Sequence, residues 1–114
     1  MELMIDNILN IGADEFYRAN RYKLSLSVIL INSSDEKAFD IIEENMRQSD
    51  IIQQLGSELI VVFLTHTNDT NGTLFIKNIE PLFNFTYTLN EYKNNELRFV
   101  QNLLLENAKK FDLF

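Results

Sequence analysis

The sequence has no cysteine, one proline and only three glycines in 114 residues. Without cysteine the chain has no disulfide framework, no thiolate nucleophile and no thiolate metal ligand. Because secreted domains of this size often need disulfides for stability, a cytoplasmic location is expected. Pro81 and the glycines Gly12, Gly56 and Gly72 are scattered along the chain, so no flexible linker or low-complexity segment is predicted.

Long apolar runs are lacking too, since none approaches the roughly 20 residues that a membrane helix needs. The amino-terminal segment carries the acids Glu2, Asp6 and Asp14 where a signal peptide would carry basic residues. The net charge of −7 repels phosphate backbones. Neither a nucleic acid nor a membrane is therefore expected among the partners.

Large apolar side chains are plentiful by contrast. Apolar residues make up 46% of the chain, and nine Phe and four Tyr supply extensive surface for a core. This composition lies well outside the range of disordered proteins, and the length suits a single domain. The sequence therefore predicts one globular domain over residues 1–114.

The first half of the chain predicts a helix, a buried strand and a second helix. Apolar residues recur on one side over residues 2–21, with Gly12 marking a point where this helix can break. Residues 24–31 alternate at first and become apolar on both faces toward the end, which predicts a central strand. Ser33 and Glu36 have the spacing of a capping box, so a helix is expected over residues 35–47.

The second half predicts a hairpin, a helix, a strand and a last helix. Two apolar runs, residues 50–55 and 59–64, flank Gly56-Ser57-Glu58 as in a β-hairpin. Asn68 can cap a helix that ends near Pro81. Residues 83–89 alternate cleanly, as in a half-buried strand. Residues 94–111 predict a helix whose apolar stripe comprises Leu97, Val100, Leu104, Ala108 and Phe111.

The order of these elements predicts the fold class. Between the terminal helices the order is β-α-β-β-α-β, which is the split βαβ, ferredoxin-like arrangement. An antiparallel sheet backed on one face by the two helices of this unit is expected, with an additional helix at each end of the chain. The predicted class is therefore α+β.

The segment RQSDIIQQLGSELIVVFL, residues 47–64, resembles the centre of the GGDEF domain family. In that family an R-x-S-D sequence is followed after five residues by G-G-D/E-E-F and an apolar strand. Here Arg47, Ser49 and Asp50 match, and five residues separate Asp50 from Gly56. The flanking helices and strands also fit in order and spacing, so the resemblance covers most of the chain.

The resemblance implies an activity and two sites. Family members are diguanylate cyclases, which join two GTP molecules into cyclic di-GMP at a Mg²⁺ site. An aspartate at the end of the first strand and an acid in the GGDEF turn hold the metal, and an R-x-x-D site binds cyclic di-GMP as an inhibitor. Arg47 and Asp50 match this R-x-x-D site.

The sequence departs from the family at the catalytic positions. Asn32 stands where the strand-end aspartate is expected, and Ser57 where the turn supplies its metal-binding acid, which leaves Glu58 alone. Hard cations need anionic oxygen ligands. Only about one helix fits between the first strand and the hairpin, so the nucleotide-pocket helix is missing. We therefore expect a degenerate, shortened GGDEF-like domain without catalysis, metal or cofactor.

Both matched motifs also have a purely structural interpretation. Arg47 and Asp50 can bind cyclic di-GMP through a guanidinium fork and a carboxylate, or they can simply end a helix and begin a strand. Gly56, Ser57 and Glu58 can be the remnant of a binding loop or an ordinary tight turn. The structural interpretation is the more common one in each case.

Three functions follow as hypotheses, in decreasing order of support. The first is a non-catalytic module in bacterial signalling that binds a partner protein or a second copy of itself. The second is a cyclic di-GMP receptor that uses Arg47 and Asp50. The third is a residual diguanylate cyclase, which the missing acid and the missing helix make improbable.

Overall fold

The structure is a computed structural model that describes residues 1–110. It contains five helices and four strands in this part of the chain: α1 (Glu2–Ile11), α2 (Ala13–Tyr22), β1 (Leu26–Asn32), α3 (Ala38–Glu44), β2 (Ile51–Gly56), β3 (Leu59–Thr65), α4 (Asp69–Ile79), β4 (Thr86–Glu91) and α5 (Glu96–Lys110). Phe111, predicted to close the last helical stripe, lies outside the described residues.

The four strands form one sheet in the order β2-β3-β1-β4, and every neighbouring pair is antiparallel. α3 connects β1 to β2 and α4 connects β3 to β4, so each connection passes over one intervening strand. This is the ferredoxin-like βαββαβ arrangement, preceded by α1 and α2 and followed by α5. The predicted α+β fold class is confirmed.

Helices cover both faces of the sheet, and the central strand explains why. Alternate residues of a strand point to opposite faces, so Leu26, Val28 and Leu30 enter a first core with α1, α2 and α5. Ile29 and Ile31 enter a second core with α3 and α4. β1 is therefore buried on both faces as predicted, and the terminal helices cover the face that the βαββαβ unit leaves open.

The amino-terminal helix is divided in two at Gly12, the residue at which a break was expected. A Cβ atom at Gly12 would lie 2.2 Å from the ring of Phe63 on β3. Only glycine lets the backbone come this close to a core aromatic. The break allows Ile8 of α1 and Phe16 of α2 to be buried in the same core.

The capping box predicted at Ser33 and Glu36 is wrong. α3 begins at Ala38, and the preceding polar side chains stabilise turns instead. Ser33 Oγ accepts a hydrogen bond from the backbone N–H of Asp35 at 3.1 Å, and Asp35 Oδ1 accepts one from the N–H of Lys37 at 2.8 Å. Short polar side chains compete with helix initiation in this way, which delays the helix.

The second half of the chain follows the prediction with shifted boundaries. Asn68 caps α4 by accepting a hydrogen bond from the N–H of Asn71 at 2.9 Å, as expected. The last strand runs over Thr86–Glu91 rather than residues 83–89, because its ladder with β1 begins at the pair Asn32–Thr86. Phe83 precedes the strand yet is still buried in the second core.

The stripe predicted for α5 is only partly right. Val100 and Leu104 are buried as expected, and Leu103 is buried with them. Leu97 is 49% exposed, so its assignment to the buried stripe is wrong. No helix in the described part of the chain combines the length and the apolarity that crossing a bilayer requires.

Candidate functional site

Gly56, Ser57 and Glu58 form the turn between β2 and β3, as the hairpin pattern predicts. Gly56 ends β2, and Ser57 and Glu58 connect it to Leu59, the first residue of β3. A Cβ atom at Gly56 would meet no heavy atom within 4 Å, and the φ angle of Gly56 lies outside the left-handed region. Neither packing nor backbone conformation therefore requires glycine at this turn.

The turn lies beside the end of β1, because Leu59 pairs with Asn32. These residues and the segment that leads into β4 border an open cleft of about 580 Å³, which we call the turn cleft. Most of the residues that line it have polar side chains: Asn32, Ser33, Ser34, Gly56, Ser57, Glu58, Leu59, Asn84, Phe85 and Thr86. The sheet thus brings the last residue of the central strand and the hairpin motif together.

The turn cleft contains a single carboxylate, that of Glu58. Asn32 Oδ1 is buried without a hydrogen-bond partner, while Ser33 donates through its N–H to the carbonyl of Glu58 at 3.1 Å and through Oγ to the carbonyl of Asn84 at 2.7 Å. Within residues 1–110 no three His, Cys, Asp or Glu side chains come together in a way that could hold a metal ion. The cleft therefore offers neutral hydrogen-bonding groups and one anionic ligand.

Arg47 and Asp50 form a doubly hydrogen-bonded ion pair at the opposite end of the hairpin. Arg47 Nη2 donates to Asp50 Oδ1 at 3.0 Å, and Arg47 Nε donates to Oδ2 at 3.2 Å. The backbone N–H of Arg47 also donates to Oδ2, at 3.0 Å. α3 ends at Glu44, so the expectation that Arg47 closes this helix is wrong; the ion pair forms inside the loop before β2.

The ion pair is attached to the far end of β3. The N–H of Thr65 donates to Asp50 Oδ1 at 3.1 Å, and Arg47 Nη2 donates both to the carbonyl of Thr65 and to Thr67 Oγ1. Thr65 Oγ1 donates to Ser49 Oγ at 3.0 Å. We call these residues, Arg47, Ser49, Asp50, Thr65 and Thr67, the Arg47–Asp50 cluster. It fixes the start of β2 against the end of β3.

The two charged partners differ sharply in exposure. The side chain of Asp50 is 2% exposed and that of Arg47 is 55% exposed. The hydrogen bonds to Asp50 raise the pKa of Arg47 further above its ordinary value, so the guanidinium is permanently charged. The carboxylate oxygens of Asp50 are occupied by donors from Arg47 and Thr65. Of the two charged side chains, only that of Arg47 is accessible to the solvent.

A shallow cleft of about 270 Å³ lies beside this exposed face of Arg47. His66, the only histidine, borders it with a φ angle of 53°, in the left-handed region. Asn71 of α4 lines the same cleft. A guanidinium in such a position can bind an anion such as a phosphate, although Asp50 has no free oxygen with which to read a guanine edge.

The predicted site residues fall into two groups that the structure keeps apart. The Arg47–Asp50 cluster and the turn cleft lie at opposite ends of β2, which at about 3.3 Å per residue places them on the order of 20 Å apart. Sequence reasoning missed Thr65 and Thr67. The only signal for them is a pair of polar residues at the end of an otherwise apolar strand, and many strands end in this way.

Comparison with known proteins gives a likeness of fold. The chain is similar to the crystal structure of a DGC protein from Thermotoga maritima, with a TM-score of 0.64 and 15% sequence identity. The match covers 91% of this chain and 91% of the other, so the two chains are of similar length. No protein-family profile and no curated protein matches the sequence. The fold is thus shared with a DGC protein, while the chemistry must be argued from the residues.

Proposed function

We propose that this chain is a non-catalytic signalling module with a GGDEF-like fold, which acts in the cytoplasm by binding a partner protein or a second copy of itself. The fold is shared with a DGC protein, and DGC is the usual abbreviation for diguanylate cyclase. This likeness supports the GGDEF-like part of the proposal. The R-x-S-D sequence and the hairpin spacing support it independently.

The observation that carries the non-catalytic part is the composition of the turn cleft. Cyclisation of two GTP molecules is a phosphoryl-group transfer, which depends on positioning and on neutralising developing negative charge. Asn32 and Ser57 are neutral where the resemblance implies metal-binding acids, and Glu58 remains alone beside them. One carboxylate at the edge of an open cleft offers little affinity for Mg²⁺, which prefers several oxygen ligands in a nearly octahedral arrangement.

Isothermal titration with GTP in the presence of Mg²⁺ tests this proposal. We expect no heat of binding for the native chain, and the Glu58→Gln variant should give the same flat trace. Tight binding of GTP that weakens in Glu58→Gln would contradict the proposal, since it would show a working metal-nucleotide site. A thermal-shift screen with the same nucleotides is a useful second readout, because a ligand that binds only the folded state raises its melting temperature.

A second candidate function is favoured by the exposed face of Arg47. The Arg47 side chain is 55% exposed even though Asp50 holds its guanidinium in place. A preorganised arginine loses less conformational entropy when it binds a phosphate. Cyclic di-GMP bound at this position would be recognised through its phosphates rather than through its guanine bases.

Titration with cyclic di-GMP separates the two candidates. If the dinucleotide binds through Arg47, the Arg47→Lys variant, which keeps the charge but loses the fork, should bind more weakly than the native chain. Unchanged affinity in Arg47→Ala would end this candidate. The Arg18→Lys variant is a matched control, because Arg18 also pairs with an acid three residues away but lies on α2.

A further inference from the structure

The two edges of the sheet are protected to very different degrees. At the β4 edge, Lys110 of α5 donates a hydrogen bond to the carbonyl of Tyr87, and its ammonium also lies over the Tyr87 ring. Glu91, at the end of the strand, accepts a hydrogen bond from the N–H of Asp69 and pairs with Lys93. Charged side chains of this kind are a common device against unwanted strand pairing.

In the described part of the chain the β2 edge lacks protection by charged side chains, and the register irregularity between Gln54 and Gly56 affects only its far end. β2 contains no charged residue and no proline, and Gln53 and Gln54 are exposed. Gln54 donates to the carbonyl of Gly56 at 2.6 Å. Within residues 1–110 this amide is the only side chain that binds the backbone of β2, and the regular ladder joins β2 only to β3.

An unprotected edge is a binding site for another strand. Every second residue of an edge strand directs its N–H and C=O groups away from the sheet, where they are free to bind an extended chain. From these observations we infer that the β2 edge pairs in antiparallel orientation with the β2 edge of a second copy, which joins two sheets into one of eight strands. The inference rests on the proposed interaction function and names its partner.

Symmetry is compatible with this pairing. A two-fold axis perpendicular to the sheet must pass midway between one residue of β2 and the same residue of the other copy, so that opposite side chains share a face. An axis at Gln53 places the two Gln53 side chains opposite each other, and their amides are mutual donors and acceptors. It places Ile51 opposite the Leu55 of the other copy, on the face of the first core. The irregularity between Gln54 and Gly56 lies at this outer pair, so the regular part of the new ladder comprises residues 52–54 of each copy, centred on Gln53.

When two copies associate, charge favours contact through β2 over contact through most other faces. Each copy carries a net charge of −7, so most faces would repel one another at low salt. β2 is a neutral segment within this acidic chain. Domains that bind foreign peptides by strand addition usually have pockets for alternate side chains beside the edge. Residues 51–55 line neither the turn cleft nor the cleft beside Arg47.

The first helix adds apolar surface on the same side of the edge. α1 packs beside β2, and Met4 joins Ile51 and Leu55 in the first core. Leu3, on the outer side of α1, is 75% exposed. A two-fold axis at Gln53 leaves both copies of α1 on the same side of the joined sheet.

Sedimentation velocity across a range of protein concentrations tests the pairing. We expect a monomer–dimer equilibrium for the native chain and at least a tenfold larger dissociation constant for Gln53→Lys, since like charges directly opposite each other destabilise a strand pair. An equimolar mixture of Gln53→Lys and Gln53→Glu should restore the dimer. Gln101→Lys, an exposed substitution on α5, is the control and should dimerise like the native chain.

Cross-linking keeps the inference testable even if a charged variant folds poorly. The chain has no cysteine, so Gln53→Cys introduces a unique thiol next to its symmetry mate, where mild oxidation should yield a covalent dimer. Gln101→Cys should yield far less. A native chain that stays monomeric at all concentrations, or a dimer that forms equally well in Gln53→Lys, would overturn the inference. Either result leaves the non-catalytic proposal intact, since that proposal fails only on GTP binding.

Discussion

The two ends of β2 carry the two motifs that resemble the GGDEF family, and they differ in how strongly the fold depends on them. At the first end, Asp50 is almost fully buried and holds the loop before β2 against the end of β3. At the other end, Gly56, Ser57 and Glu58 are exposed, and Gly56 has space around it. The R-x-S-D match at the first end is therefore explained by its contribution to protein stability, without any ligand.

The comparison teaches that similar motif matches carry different information about function. The contacts of the Arg47–Asp50 cluster already give its residues a structural role, so its presence says little about cyclic di-GMP. In the turn cleft the side chains of Ser57 and Glu58 are exposed and lie on the connecting turn. Its neutral residues, Asn32 and Ser57, are therefore the observation on which the proposal of a non-catalytic module rests.

The largest expected difference between the two ends comes from removing one carboxylate at each. Asp50→Ala should lower the free energy of unfolding by about 2–3 kcal/mol, because it leaves the N–H of Thr65 unpaired and removes charge-assisted hydrogen bonds. Glu58→Ala should cause no measurable change. Urea denaturation of both variants checks this, and equal losses would show that the two ends of β2 matter equally to stability.

A second pair of variants compares two glycines, one near each end of β2. Gly12→Ala should destabilise the protein by about 1–3 kcal/mol, because the new methyl group would overlap the ring of Phe63, which pairs with Ile51 at the start of β2. Gly56→Ala should be tolerated, because its Cβ atom enters open space. Melting temperatures measured by circular dichroism suffice. A stable Gly12→Ala variant would show that Phe63 moves aside easily.

A smaller effect is expected when position 47 keeps its positive charge but loses the guanidinium group that binds Asp50 through two nitrogens. Arg47→Lys should lower the free energy of unfolding by up to about 1 kcal/mol, since the side chain is half exposed and solvent weakens the ion pair. Arg18→Lys should have no measurable effect, because its pair with Glu15 is a surface contact within one helix. If both variants behave alike in chemical denaturation, Arg47 does not fix the loop.

The smallest effect is expected at alkaline pH. It concerns the hydrogen-bonded network formed by Asn20 of α2, Tyr92, and Glu96 of α5. Burial raises the pKa of Tyr92, whose hydroxyl oxygen lies within hydrogen-bond distance of the side chains of Asn20 and Glu96. The stability gained from the neutral phenol is fully present below its ordinary pKa of 10.0 and is lost as the pH rises through the folded-state value. Stability measured between pH 9 and 11 should therefore fall more steeply in the native chain than in Tyr92→Phe.

That last comparison also has a clear contradicting result. If Tyr92→Phe loses stability with pH as steeply as the native chain, then the loss arises elsewhere and the network does not hold a neutral phenol. The turn cleft contains no tyrosine and should contribute nothing to this alkaline transition.

Much of the fold could be predicted because its signals are local. The double-sided burial of β1, the hairpin turn and the Asn68 cap all depend on residue types within a few positions of one another. The helix start at Ser33 was predicted wrongly because the same polar side chains stabilise turns equally well. Leu97 was placed wrongly because periodicity cannot tell which side of a helix end another element covers.

The site could be predicted only in part, because the role of its residues depends on hydrogen-bond partners that lie far along the chain. Arg47 and Asp50 were identified, yet their partners Thr65 and Thr67 lie 15 to 20 positions further along the chain. The protection of the β4 edge likewise depends on Lys110, 23 positions after Tyr87. No local pattern in the sequence distinguishes the protected edge from the open one.

Product analysis after prolonged incubation with GTP and Mg²⁺ tests the central claim most directly. Liquid chromatography should detect no cyclic dinucleotide above a protein-free blank, even at high protein concentration. Formation of cyclic di-GMP by the native chain, and its loss in Glu58→Ala, would contradict the claim that this cleft no longer supports phosphoryl transfer.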